Sequence, residues 1–421
     1  MAEKSKNPNN VRVVITGIGT VNPLGNNIDD YWSNLLAGIS GVRLIQNVEI
    51  DDYMIKIAGE IDLPDVRDLF KEKKMAKRLD RYIVLGYLAG TQALKDSGLD
   101  IDGAPHRYGS MIGTGDGGVG AYLENVERIV KTGMQSTSPF YIINAIPNTG
   151  AGFFAQAWNL QGPSFSVSSA CATSNHAIGT SAMMIKMGMA DAFFTGGTEA
   201  PVNKNGLSAF GNIYALSARN DSPETASRPF DVDRNGFILG EGAGVVCVEE
   251  LEHAKRRGAK IYCEVTGFGF TCDAHDLVAP HPEARGATQA LKLALANAEL
   301  NPEDIDLINA HATSTQLGDV TEFHAAQAVF GELAKKTPVH STKSMTGHLL
   351  GAAGGVEAIA IILAFEKNVA HMTINQFNQD PEIGFNVIKA DPMEMRPKHI
   401  ISNGFGFGGQ NSAVVFSRFV D

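Results

Sequence analysis

Two stretches of this chain resemble one another, and that limits the folds open to it. Val167-Ser-Ser-Ala-Cys171-Ala-Thr-Ser-Asn-His176-Ala-Ile-Gly-Thr runs alongside Val339-His-Ser-Thr-Lys343-Ser-Met-Thr-Gly-His348-Leu-Leu-Gly-Ala. Each reads as a strand, a turn of small polar residues and a helix rich in Gly and Ala. A second pair follows in the same order: Leu239-Gly-Glu-Gly-Ala-Gly-Val-Val-Cys-Val and Phe407-Gly-Gly-Gln-Asn-Ser-Ala-Val-Val-Phe. Two ordered matches imply a duplicated half breaking near residue 256, with units of 1–256 and 257–421. Helices this poor in large side chains need a close neighbour, and each other is the simplest one.

The rest of the pattern agrees with α/β architecture. Val11–Ile18, Tyr108–Ile112, Phe165–Ser168, Ala192–Thr195 and Val245–Val248 read as one set of strands. Ile261–Phe268, Ile305–Asn309, Val339–Ser341 and Ala413–Phe416 read as a second. Helical patterns cover Asp80–Asp96, Gly286–Ala298 and Gly347–Glu366, which predicts helix-covered sheets. At 421 residues the chain is long for one core. A net charge of −11 gives no global field for nucleic acid. Four unevenly spaced cysteines suit a reducing compartment better than a disulfide framework. The start, MAEKSKNPNN, has no signal-peptide core, and Glu357 interrupts the most apolar run, Leu349–Phe365, which argues against a membrane span. A cytoplasmic globular protein is expected.

Several motifs fail on inspection. Gly113-Thr-Gly-Asp-Gly-Gly118 fits G-x-G-x-x-G, but no strand ending in an acid follows about 20 residues on. Gly404-Phe-Gly-Phe-Gly-Gly409 is followed by a strand where a dinucleotide site needs a helix. Asp231-Val-Asp-Arg-Asn-Gly236 opens like a calcium loop, yet Gly242 stands where the bidentate Glu belongs. Cys272 and His275 lack a second ligand pair for zinc.

Cys171 is different. It follows a strand, at the expected first turn of a helix, where free N–H groups stabilise a thiolate and an oxyanion. The alternative is a small buried hydrophobe. His311 and His348 also stand at strand-to-helix transitions, where α/β proteins place their sites. Glu357 inside an apolar helix needs a partner, and Lys343 or a histidine would serve.

Four ordered blocks now connect these residues to a family. They are Gly162-Pro-Ser-Phe-Ser-Val-Ser-Ser-Ala-Cys171-Ala-Thr-Ser, Asn309-Ala-His311-Ala-Thr-Ser-Thr, Ser341-Thr-Lys343-Ser-Met-Thr-Gly-His348 and Asn403-Gly-Phe-Gly-Phe407-Gly-Gly-Gln-Asn411. Over essentially its full length the chain resembles the elongating β-ketoacyl-acyl carrier protein synthases, of the synthase II kind. The resemblance implies the thiolase fold, two duplicated α/β halves in a five-layer αβαβα sandwich, and a homodimer. The half 1–256 would carry the nucleophile and cap insertions, and 257–421 both catalytic histidines.

The resemblance further implies that Cys171 accepts an acyl chain from acyl carrier protein. His311 and His348 would activate the malonyl thioester, and the Cys171 and Phe407 N–H groups would form the oxyanion hole. Lys343 and Glu357 would orient and charge-balance the histidines. Thr313 and Thr315 would hold the phosphopantetheine arm, and Phe407 would gate an acyl pocket that includes Phe210 and Asp116. No metal or redox cofactor is required, the phosphopantetheine arriving on the carrier.

Asp116 departs from the aliphatic residue usual at the pocket floor. It either lines that pocket or caps a helix beginning near Ala121. Tyr214, Gln135 and Ser136 replace basic carrier-contacting residues, whereas the basic run Lys71–Arg81, with Lys73, Lys74, Lys77 and Arg78, is present for an acidic carrier. A degradative thiolase would need a second cysteine in Gly404–Asn411, and an initiating synthase an Asn where His348 stands. The remaining alternatives are a ketosynthase of a specialised type II polyketide or polyene pathway and a non-catalytic chain-length partner subunit. Cys171 speaks against the latter.

Overall fold

A computed structural model describes residues 10–50, 53–70 and 73–421. Most of the polar start, and Lys71 at the head of the basic run, lie outside the described residues. Ten strands form one mixed sheet. In chain order, with their principal helices, they begin with β1 (Val13–Val21), α1 (Arg81–Ser97), β2 (Tyr108–Gly113), α2 (Val119–Thr132) and α3 (Thr149–Trp158). Next come α4 (Thr173–Lys186), β3 (Ala192–Glu199), β4 (Gly242–Glu250), β5 (Cys263–Cys272), α5 (Arg285–Ala298) and β6 (Leu307–Asn309). The chain closes with α6 (Gln316–Phe330), β7 (Pro338–His340), α7 (Ala353–Lys367), β8 (Asn386–Val387), β9 (His399–Gly406) and β10 (Gln410–Arg418).

The sheet order is β8-β7-β6-β9-β10-β5-β1-β4-β3-β2. Reading outward from its middle gives one pattern twice. β1 pairs antiparallel with β4, β4 antiparallel with β3, and β3 parallel with β2. β5 pairs antiparallel with β10, β10 antiparallel with β9, and β9 parallel with β6. Within the sheet the two sets of strands meet where Val14 faces Glu264 and Ile15 faces Cys263. So short a seam lets the sheet fold round α4 and α7, which touch strands of both halves. Helices α1 and α3 cover one outer face, and α5 the other with α6 packed beside it. The result is the expected five-layer sandwich of the thiolase fold.

Close packing repeats as well. A Cβ on Gly17 or Gly19 of β1 would stand 2.3 or 2.1 Å from the Ala93 or Ala89 carbonyl oxygen of α1. A Cβ on Gly267 or Gly269 of β5 would meet the Ala294 or Ala290 oxygen of α5 at the same two distances. The shared Thr-Gly-x-Gly of β1 and β5 is thus part of the duplication, set by strand-on-helix backbone contact.

Three expectations need correction. Phe165–Ser168 is not a strand: it runs beside β2 with backbone hydrogen bonds and one bridge at Ser164. Its peptide units turn away early to deliver the Cys171 turn. Strand β9, rich in Gly and Asn, was not read from the sequence, yet it pairs along its whole length with β10. Lastly, the first repeat match is out of register. Helix α4 follows a 3₁₀ turn Ala170–Ala172, and α7 follows one at Leu350–Ala352, each starting on a left-handed residue (φ 47° and 45°). The structural counterpart of Cys171 is therefore Gly351, eight residues beyond Lys343. The second match does hold, since it aligns β4 with β10.

Gly19→Ala and Gly269→Ala are each expected to destabilise the fold by about 1–3 kcal/mol through overpacking. Gly152→Ala in α3, where a Cβ meets nothing within 4 Å, should be neutral or stabilising. Thermal unfolding of the three variants checks this, and equal midpoints would contradict the packing argument.

Candidate active site

One cavity of about 560 Å³ collects most of the residues singled out above. Its wall includes Cys171, His311, His348, Thr313, Thr315, Phe210, Phe407 and Asp116. Its outer rim carries the exposed apolar side chains of Ile213, Tyr214 and Leu317.

Cys171 sits in the 3₁₀ turn ahead of α4, one turn earlier than expected. Its Sγ lies 2.9 Å from His348 Nε2. Cys171 Sγ and ring nitrogens of His311 and His348 all fall within 4.8 Å of one another. The expected thiolate is not what the surroundings favour. Burial pushes the thiol up to about 12, against the opposing pull of Lys343 and of the Phe407 and Cys171 backbone N–H groups. Enclosure opposes the turn's N–H groups and favours the thiol over the thiolate. Those two N–H groups do face the sulfur, as an oxyanion hole requires.

His348 does not open a helix. It lies in an extended stretch bridged to Leu239, five residues before α7. Phe237 packs edge-on against its ring at 5.2 Å between centroids, and Phe405 against His311 at 5.7 Å. Burial first, and then the nearby Lys343 charge, hold both imidazoles well below the usual histidine range. Each ring is therefore neutral and carries one N–H.

Lys343 and Glu357 form a buried ion pair beneath the histidines, with Asn309 Nδ2 at 3.4 Å from the carboxylate. The partner foreseen for Glu357 is thus Lys343, and no hydrogen bond from Lys343 to a histidine occurs among the described residues. Phe407 opens the turn Phe407–Gly409, whose Gly408 and Gly409 adopt φ 76° and 70°. Its ring lies 6.2 Å from that of Phe210. Thr313 and Thr315 share a hydroxyl contact of 3.2 Å.

Two carboxylates escaped the sequence reading. Glu322, on α6, accepts from the His311 and Ala312 N–H groups at 2.8 and 2.7 Å and from Asn403 Nδ2, fixing the His311 loop. Nothing local marks it, because its partners come from distant segments. Glu199, at the end of β3, accepts from Thr114 Oγ1, Gly115 N, Asp116 N and Gly351 N at 2.6–3.1 Å. An acid directly after Thr195-Gly-Gly-Thr was the available signal. Its carboxylate takes the N–H groups that a nucleotide phosphate would need at Gly113–Gly118.

Asp116 lines the cavity and does not cap a helix. Asp80 caps instead, taking Ala121 N at 3.1 Å and also the first turn of α1. Among the described residues nothing hydrogen-bonds the Asp116 carboxyl, and burial raises its pKa. Glu199 is raised to about 7 by burial and then by Asp116. Burial raises both carboxyls, the four donors to Glu199 oppose that rise on its side, and the two titrate as a pair.

Lys73, Lys74, Lys77 and Arg78 lie on the surface and outside the cavity wall. Lys73 is paired with Asp68, and the Arg78 guanidinium lies over Phe140 at 5.0 Å. All four cysteines are free, and no helix among the described residues is long and apolar enough to cross a membrane.

Comparison with known proteins agrees with this geometry. The chain is 44% identical over 412 residues to a 3-oxoacyl-[acyl-carrier-protein] synthase 2 of Coxiella burnetii (strain RSA 493 / Nine Mile phase I), covering 97% of this chain and 99% of that one. Among solved structures it superposes on the ishigamide ketosynthase/chain length factor with TM-score 0.91 at 30% identity, covering 97% of this chain and all of the other. A type II polyketide synthase ketosynthase, in complex with its acyl-carrier protein and bound to the hexaketide, gives 0.90 at 28% identity over the same shares. Residues 10–254 match the family model "Beta-ketoacyl synthase, N-terminal domain" and residues 262–377 its C-terminal domain. The chain therefore belongs to the β-ketoacyl synthase family.

Proposed function

We propose that this protein extends fatty acyl chains by decarboxylative Claisen condensation with malonyl-acyl carrier protein, giving 3-oxoacyl-acyl carrier protein. The observation that carries the reading is the convergence of Cys171 Sγ and two neutral imidazoles within 4.8 Å at the wall of one cavity. Cys171 Sγ attacks the acyl thioester, and the pantetheine sulfur leaves with the proton that the Cys171 thiol gives up. The oxyanion forms against the Cys171 and Phe407 N–H groups. The malonyl carbonyl oxygen then accepts from N–H groups of His311 and His348, above the buried Lys343–Glu357 pair. Loss of CO₂ leaves an enolate whose carbon attacks acyl-Cys171, and the sulfur departs and is reprotonated. Thr313 and Thr315 hold the pantetheine arm, and the Phe407 turn admits the chain to the pocket beside Phe210.

We assign the nucleophile to a half spanning 1–256 and both histidines to 257–421, in a cytoplasmic homodimer. Exposed Val130 and Met134, 80% and 81% accessible on and beside α2, support a second copy covering that face. Asp116 favours one further reading, a ketosynthase of a specialised polyketide or polyene pathway. The 44% identity to a synthase 2 weighs toward fatty acid elongation. Condensation assays with saturated and unsaturated acyl carriers distinguish the two.

Cys171→Ala should leave no acyl adduct by intact mass after incubation with acyl carrier. His311→Ala and His348→Ala should still acylate while malonyl decarboxylation falls roughly 10²-fold or more. An adduct on another cysteine, or normal decarboxylation in both histidine variants, would sink the mechanism.

Asp116→Ile should extend the range of saturated chains accepted and leave decarboxylation unchanged. It should not lower thermal stability, since a desolvated carboxyl without donors is removed. An unaltered chain-length profile would remove Asp116 from substrate selection.

Reversing the charges of Lys77 and Arg78 should raise KM for the acidic carrier and flatten its salt dependence, with little effect on small thioesters. Equal loss with both substrates would point to structural damage.

A further inference from the structure

The groups that face the reacting carbon also form a set of metal ligands. Cys171 Sγ and one nitrogen from each of His311 and His348 lie within 4.8 Å of one another, the Cys171–His348 separation being 2.9 Å. Tetrahedral zinc, at about 2.3 Å from sulfur and about 2.0–2.1 Å from imidazole nitrogen, spaces such atoms roughly 3.3–3.6 Å apart. Small side-chain rotations reach that spacing. The two ligand types suit a borderline-soft ion and exclude magnesium or calcium. The fourth position opens on the cavity, as in sites that keep one coordination position for water.

The surroundings add to the case. The one nearby ammonium, Lys343, is already matched by Glu357, while Glu199 and Glu322 place further buried carboxyl groups around the cavity. His348 Nδ1 has no hydrogen-bond partner, so no outer group fixes that ring. A reversible ligand site is expected from this, weaker than a structural zinc site.

We propose that Cys171, His311 and His348 bind one thiophilic divalent cation of the zinc kind, which reversibly blocks acylation of Cys171. Binding exchanges the Cys171 S–H bond for a sulfur–metal bond. The proton leaves to buffer, two imidazole nitrogens displace metal-bound water, and nothing is oxidised or reduced. The ion is an inhibitor and takes no part in condensation. Its binding stands independently of the proposed reaction, whereas the inhibition rests on Cys171 being the acylated residue.

The test uses the full chain carrying Cys272→Ser, which removes the exposed thiol, titrated with CoCl₂ alone. Expected are a thiolate-to-cobalt charge-transfer band and tetrahedral d–d bands saturating at one ion per chain, both abolished by ZnCl₂. Cys171→Ala should lose the charge-transfer band, and His348→Ala should weaken binding at least tenfold. In the chain without these site substitutions, ZnCl₂ should protect Cys171 from iodoacetamide and EDTA should restore alkylation. A charge-transfer band that survives Cys171→Ala, or alkylation at an unchanged rate under saturating zinc, overturns the site. Zinc that protects Cys171 yet leaves acylation by acyl carrier intact overturns the inhibition and the nucleophile assignment, while the metal site stands.

Discussion

Backbone meets backbone where α7 crosses β3 and β4, and the geometry of the site hangs on that contact. A Cβ on Gly197 would stand 2.3 Å from the Gly351 oxygen, and one on Gly244 would stand 2.3 Å from the Gly355 carbonyl carbon. With no side chain between, the turn Leu350–Ala352 comes down on the end of β3, where Gly351 N reaches Glu199. The same turn touches the turn Ala170–Ala172. His348 and Cys171 are thereby brought together from segments 177 residues apart in sequence. A displacement of about 1 Å at such a contact can cost on the order of 10²-fold in rate, so these glycines matter to chemistry they never touch.

Charge is handled by the same enclosure. A buried pair such as Lys343–Glu357 contributes little net stability, because desolvation offsets much of the attraction, yet removing either partner costs about 3–5 kcal/mol. Its use here is local. Burial is the main cause that holds the imidazole pKa values down, and the nearby Lys343 charge adds to it, with Glu357 balancing that charge against the rest of the core. The His311 loop is fixed separately, by Glu322 binding its N–H groups. Orientation and electrostatics are thus supplied by different carboxylates.

Much of this was legible from residue order. Cys171, His311, His348 and Lys343 stood out as polar or reactive residues in small surroundings after strands, and Glu357 as an acid inside an apolar helix. The duplication was also legible, but its register was not. Small polar turns look alike, so Lys343 was matched to Cys171 where Gly351 belongs. The Thr-Gly-x-Gly of β1 and β5 was the better marker, though its meaning depends on the helices packed against it. Strand β9 was hidden by Asn403, Gly404 and Gly406, which suit the turn beside Cys171 better than they suit a strand. Glu322 had no local signature, since its partners come from loops far along the chain. The N–H groups that face Cys171 were visible in sequence, whereas the enclosure that opposes them was not.

Gly351, the counterpart of Cys171, carries one last consequence. Duplication furnished two equivalent turns, and only one of them received a side chain. In the other, Glu199 occupies the position between the backbones, drawn in by Gly115 and Gly351. The vacant twin has become a strut for the working one. The second turn is filled by protein. A Cβ at Gly351 would stand 2.5 Å from Gly115 N and 2.6 Å from the Glu199 carboxylate, so Gly351→Cys would dismantle the support of the first turn.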